Sequence, residues 1–121
     1  MGDEGRLLQA TSNLIENALR VTPAGGSVEV RVASGTITVR DTGPGLATED
    51  LPRAFERFYL YDRYRSARPV GSGLGLAIVK ELATAMGGTV TAGGQPGGGA
   101  EFQIRVPTAD GVPTADAETM R

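Results

Sequence analysis

The 121 residues contain no histidine and no cysteine. Without histidine a Ser-His-Asp relay is excluded, and so are the usual zinc sites. Without cysteine the chain has no disulfide framework and no thiolate metal site. Long apolar runs are also missing: nothing approaches the roughly 18 residues needed to cross a bilayer, and the N-terminus is no signal peptide. The absence of cysteine is compatible with the cytoplasm. Positive charge is scarce too. Twelve Lys and Arg against 14 Asp and Glu give a net charge of −2, with no long basic run, so nucleic acid and anionic membrane are not expected partners. The length fits one domain with a real core, but not two.

Glycine, by contrast, is abundant, with 18 residues. The most informative cluster opens residues 71–88, where Gly71-Ser72-Gly73-Leu74-Gly75-Leu76 runs into an apolar, helix-forming stretch that ends at Gly87-Gly88. A glycine-rich turn feeding a helix N-terminus leaves backbone N–H groups free, and the helix dipole adds positive potential there. Such a turn suits a phosphate. A plain loop before a core helix has the same local pattern, so the rest of the chain must decide.

Residues 4–20 read as an amphipathic helix with Leu7, Leu8, Thr11, Leu14, Ile15, Ala18 and Leu19 on one stripe. Asn13, Glu16, Asn17 and Arg20 fall on the opposite face, and Asp3 is placed to cap the N-terminus. Two strands follow, at 27–33 and 36–41, joined by a Ser34-Gly35 hairpin turn. Asp41 ends the second strand and opens Asp41-Thr42-Gly43-Pro44-Gly45-Leu46. That segment is either an ordinary turn or a carboxylate facing a ligand packed flat on the backbone. Residues 49–58 read as a short helix with Leu51, Ala54, Phe55 and Phe58 at helical spacing. The pattern is lost over 59–70, where arginines alternate with tyrosines; this is either a mobile lid or a solvated loop. Strands at 89–92 and 101–106 flank a glycine-rich loop, and Pro107 closes the domain. Residues 108–121 have little to bury and are expected to be a disordered tail. The element order predicts an α+β two-layer sandwich, with helices on one face of a mixed, mostly antiparallel sheet.

Four motifs together resemble the ATP-binding catalytic domain of two-component sensor histidine kinases, a branch of the GHKL ATPase superfamily. Asn13-Leu14-Ile15-Glu16-Asn17-Ala18-Leu19-Arg20 is similar to the N box, and Asp41-Thr42-Gly43-Pro44-Gly45 to the G1 box. Phe55-Glu56-Arg57-Phe58-Tyr59 is similar to the F box, and Gly71-Ser72-Gly73-Leu74-Gly75-Leu76 to the G2 box. Each alone is a weak signal. All four in the family's order and spacing, over residues 3–107, make the resemblance specific.

The resemblance implies a site that binds ATP and Mg²⁺. It puts the Asn17 amide oxygen on the metal, a hard ligand of the kind Mg²⁺ accepts beside phosphates and water. Asn13 is implied to support the phosphate and metal end, and Arg20 to reach the phosphates. Asp41 corresponds to the acceptor for the adenine amine, with Gly43 and Gly45 letting the backbone lie close to the base. Gly71, Ser72, Gly73, Leu74, Gly75 and Leu76 correspond to the hinge and phosphate loop. Arg68, within the lid, is the candidate γ-phosphate contact, and Phe55 and Phe58 would anchor the lid's base on the core. The implied reaction is γ-phosphoryl transfer to a histidine of a dimerisation and phosphoacceptor domain, in the same protein or a split partner, with a response regulator downstream. Because this chain has no histidine, the acceptor must lie outside it. A cytoplasmic location is implied, including as the cytoplasmic part of a membrane-anchored sensor, with no membrane contact by this domain.

Three departures stand out. Val21 occupies a position that is aromatic in many relatives, so stacking on adenine is lost there. The family's upstream helix and first strand are absent, and so is the histidine-bearing helical hairpin, as expected of a trimmed piece or of one half of a split protein. Rival readings are a GHKL ATPase of the mismatch-repair, topoisomerase or chaperone type, an anti-sigma-factor serine kinase, and a non-catalytic ATP sensor. The ATPases activate water with a glutamate where this chain has Asn13, which argues for slow hydrolysis. Glu16 either orients an incoming histidine or simply faces solvent.

Overall fold

The computed structural model describes residues 2–66, 71–95, 98–107 and 117–120. The chain opens with a helix, α1 (Gly2–Val21), followed by the strands β1 (Val28–Ala33) and β2 (Thr36–Asp41). A 3₁₀ helix (Thr48–Arg53) and a short helix, α2 (Tyr59–Tyr64), lead to α3 (Gly75–Ala85). The strands β3 (Thr89–Gly94), β4 (Ala100–Arg105) and β5 (Ala117–Met120) complete the order. The five strands form one sheet in the order β3-β4-β2-β1-β5, and every described pairing is antiparallel. The expected two-layer α+β architecture is therefore present.

Alternation in the strands accounts for the core. Val30, Ile37, Val39, Phe102 and Ile104 point from one face of the sheet into Ala10, Leu14 and Ala18 of α1 and Val79 of α3. Burying each large apolar side chain contributes about 1.5–3 kcal/mol. The opposite face is polar: Arg40 stands opposite both Glu29 and Glu101 and forms ion pairs with each, at 3.8 and 2.7 Å. Ser34-Gly35 makes the tight turn between β1 and β2, since Ala33 pairs directly with Thr36 and Gly35 has φ +74°. The Gly87-Gly88 pair ends α3 as its composition suggests. Gly88 N–H donates to Ala83 O and Gly87 N–H to Thr84 O, the pairing of a Schellman cap.

Several expectations are corrected. Leu8 and Leu19 are 70% and 61% exposed rather than part of the buried stripe. The stripe is centred on Ala10, Leu14 and Ala18, and at 3.6 residues per turn the two leucines sit roughly 120–140° around the helix from Leu14. Asp3 lies inside the first turn of α1, not ahead of it as a cap. Residues 49–58 are not one α-helix. Pro52 has no N–H to donate, and the bonds Asp50 N–H to Ala47 O and Ala54 N–H to Leu51 O are of the tighter 3₁₀ spacing. Phe58 then takes a left-handed conformation, φ +62°, and the chain restarts as α2, so residues 59–64 are helical and not irregular. Finally, residues 117–120 pair with β1 as its outer neighbour, against the expected disordered tail; residues 108–116 lie outside the described residues.

Candidate functional site

The polar face of α1 and the N-terminal end of α3 lie on two sides of a cleft of about 260 Å³. Asn13, Asn17 and Arg20 line it from α1, Asp41 and Gly45 from the end of β2 and the loop after it, and Gly71, Ser72, Gly73, Gly75 and Leu76 from the glycine-rich turn. Two contacts tie the walls together. Asn13 Nδ2 donates to Gly75 O at 3.4 Å, and the Arg20 guanidinium lies against Gly71, so that a Cβ on Gly71 would come within 2.8 Å of Arg20 Cζ. The helix-forming pattern of α1 is thus what aims Asn13, Asn17 and Arg20, one turn apart, at the glycine turn.

The far end of the cleft is built on Asp41, which is 1% exposed. Its Oδ1 accepts from Gly43 N–H at 2.9 Å and from Ala100 N–H at 3.3 Å. Gln95 Nε2 donates to the Asp41 carbonyl at 2.9 Å. Gly99, with φ +94°, passes so close to that carbonyl that no Cβ would fit. The carboxylate is therefore held by two backbone N–H groups, and the main-chain carbonyl of the same residue by Gln95.

Two of the expected residues sit elsewhere. Gly43 is not among the lining residues; it packs against the Val21 carbonyl, where a Cβ would come within 2.7 Å, and holds the β2 end against the end of α1. Leu74 also stays out of the lining, and its N–H donates to Ser72 Oγ at 3.2 Å at the entrance of α3. Arg68 lies outside the described residues. Phe55 meets the expectation of a core anchor, edge-on to Phe102 with ring centroids 6.0 Å apart. Phe58 does not: it is 45% exposed, with its N–H donating to Gly73 O at 2.8 Å and its ring over Gly73.

The wall supplied by α2 was not legible from spacing. Leu60, Tyr61 and Tyr64 line the cleft from that helix. Behind them lies Asp50, completely buried, which accepts hydrogen bonds from Tyr59 Oη at 2.6 Å, from Arg63 Nε at 3.2 Å and from Tyr64 Oη. Burial pushes the Asp50 carboxyl up, but the hydrogen bonds from Tyr59, Tyr64 and Arg63 and the Arg63 charge outweigh it and hold the group below its ordinary value. Tyr59 is raised by its bond to Asp50, by burial and by the Asp50 charge. The alternation of tyrosines and arginines around 59–65 is visible in the sequence, but only the fold shows that Tyr59, Arg63 and Tyr64 converge on a buried carboxylate.

The sequence pattern described as histidine kinase-, DNA gyrase B- and HSP90-like ATPase matches residues 2–110. This chain belongs to that family. The sensor-like histidine kinase SenX3 of Mycolicibacterium smegmatis is 41% identical to the ATPase domain over 111 residues, which cover 88% of this chain and 29% of SenX3. Among solved structures, the mycobacterial sensor histidine kinase MprB superimposes with a TM-score of 0.76 at 33% identity, covering 89% of this chain and 76% of that one. Full-length ShkA in complex with AMPPNP gives a TM-score of 0.71 at 45% identity, covering 88% of this chain and 22% of that one. The domain is thus of the ATP-binding catalytic type found in histidine kinases, and it spans less than a third of the SenX3 length. No helix among the described residues is long and apolar enough to cross a membrane.

Proposed function

We propose that this domain binds Mg·ATP in the cleft between α1 and α3 and donates the γ-phosphoryl group to a histidine on a separate dimerisation and phosphoacceptor domain, as a step of two-component signalling. The observation that carries the reading is the arrangement of the two cleft ends. A cation and amides from α1 meet the glycine turn at one end, while a buried carboxylate held by backbone N–H groups waits at the other. That spacing of charge suits a triphosphate and a base with an exocyclic amine.

Each residue has a role in this reading. Asp41 accepts from the adenine amine. Arg20, resting on Gly71, pairs with phosphate oxygens, and the N–H groups at the α3 entrance take the remaining phosphate charge. Among the described residues no group of three or more His, Cys, Asp or Glu could hold a metal. A divalent cation here would draw on phosphate, water and the Asn17 amide oxygen, a donor set that fits Mg²⁺. When bound, it neutralises charge on the triphosphate. Arg68 is assigned the γ-phosphate. Transfer forms a bond from an imidazole nitrogen lone pair of the acceptor to the γ-phosphorus and breaks its bond to the β–γ bridging oxygen, releasing ADP; positioning and charge stabilisation carry the catalysis. The response regulator then receives the phosphoryl group, and the reaction is assigned to the cytoplasm.

Asn13 also bears on the water-activating rival. An amide is no general base, and here it is tied to Gly75 O, so slow hydrolysis is expected. Replacing Asn17→Ala or Asp41→Asn is expected to weaken binding of a fluorescent ATP analogue at least tenfold, a loss of about 1.4 kcal/mol or more. Unchanged affinity in both variants would remove the site assignment. Labelled ATP mixed with a histidine-bearing helical domain tests the transfer itself: an unlabelled domain favours a binding module that only senses nucleotide.

A further inference from the structure

Helix α2 has six residues and none of them is buried. A helix that short has no stability of its own in water, and with Tyr59, Leu60, Tyr61 and Tyr64 only half-buried it gains less from packing than a core helix does. Yet it supplies Leu60, Tyr61 and Tyr64 to the cleft wall. Partial burial is therefore joined by a polar anchor. The structure offers one fully buried group that grips it at three points. Asp50, on the preceding 3₁₀ helix, takes Tyr59 Oη and Arg63 Nε on Oδ1 and Tyr64 Oη on Oδ2. The grip is extended by Arg53 over the Tyr59 ring at 4.3 Å and by Arg63, which reaches Glu49 at 3.7 Å.

We propose that Asp50 is a positioning residue of the nucleotide site: by fixing α2, it sets the wall formed by Tyr61 and Tyr64 against the bound nucleotide. This rests on the reading of the cleft as an ATP site. Asp50 has no place in the cleft lining, and neither does Tyr59; whatever they do to nucleotide affinity must pass through the helix. The 3₁₀ helix that bears Asp50 is itself fixed on the core side, since it leads into buried Ala54 and then Phe55 on Phe102. The carboxylate is therefore a fixed point from which α2 hangs, and the hydroxyls of Tyr59 and Tyr64 are its hooks. Loss of the Tyr59 hook, which lies outside the lining, should loosen the wall without touching the groups that contact the ligand.

Three variants, Asp50→Asn, Tyr59→Phe and Tyr64→Phe, separate positioning from simple structural support, because the two tyrosine changes keep the rings. Hydrogen exchange of the nucleotide-free protein is expected to rise about tenfold over residues 59–64 in Asp50→Asn, and less in the tyrosine variants, with β2 and β4 unchanged. Affinity for a fluorescent ATP analogue is expected to fall about tenfold in Asp50→Asn and about threefold in Tyr59→Phe. Exchange that rises equally in the sheet would make Asp50 a general structural residue and overturn the proposal. So would faster exchange at 59–64 with unaltered affinity, or no change in either. If the unmodified protein fails to bind the analogue, the nucleotide reading is what fails, while the exchange arm still reports whether Asp50 anchors α2.

Discussion

The space where a Gly71 side chain would sit is filled by the Arg20 guanidinium. Arginine ends move easily, so a methyl group there displaces the cation and leaves the backbone alone. Gly71→Ala is therefore expected to melt within a degree or two of the parent while losing about tenfold in affinity for a fluorescent ATP analogue, the scale of one charge-assisted contact. Gly99 makes the opposite case. Its φ of +94° and its closeness to the Asp41 carbonyl leave a Cβ nowhere to go, and the neighbour is backbone. Left-handed strain alone costs about 1–2 kcal/mol, so Gly99→Ala should lower the melting temperature by several degrees. Thermal melts beside a nucleotide titration distinguish the two glycines: one would lose its ligand, the other its fold.

Elements with a strong period were readable in the sequence, and elements held by contacts that follow no period were not. The β1–β2 hairpin follows from alternation and a Ser34-Gly35 turn, and its register agrees with both. The α1 face bearing Asn13, Asn17 and Arg20 follows from a 3.6-residue period, and all three reach the cleft. Helix α2 could not be foreseen because none of its residues is fully buried and its anchor lies outside it; Asp50, nine residues before the Tyr59 that hydrogen-bonds to it, is a polar point in a short amphipathic run. Its dependence on one carboxylate has a pH signature. The Asp50 carboxyl is held below its ordinary value of 3.8, so the stability it contributes is fully present above about pH 4 and is lost as pH falls through the folded value. Tyr59, raised above 10.0, gives a contribution that is fully present below about pH 10 and is lost as pH rises through its raised value. The gap in melting temperature between the parent and Asp50→Asn should hold steady from about pH 5 to 9 and narrow as pH approaches 3. A gap that stays constant down to pH 3 would contradict the network.

Across the whole molecule the sheet separates two tasks. Its helix-covered side, between β2, β4 and the helices, carries the cleft, while β1 and β5 lie at the far edge and contribute no lining residue among those described. The chain's last strand covers that edge through four register pairs, from Val30↔Met120 to Ala33↔Ala117. Composition could not reveal it, because a short strand added to an existing edge draws on backbone N–H and C=O groups that every sequence has. An uncovered β1 would present unpaired donors and acceptors to another chain. Its few hydrogen bonds, each about 0.5–1.5 kcal/mol net, are opposed by the about 1–2 kcal/mol of backbone entropy for each residue ordered. The balance is small. Removing residues 117–121 should then lower the melting temperature by only a few degrees and increase self-association at high concentration, visible by light scattering. Affinity for the ATP analogue should stay within about twofold of the parent, less than 0.5 kcal/mol, because no lining residue among those described comes from β5. A large loss of nucleotide binding in the shortened chain would mean that the far edge and the cleft are coupled through β1 and β2, and that the division of tasks across the sheet does not hold.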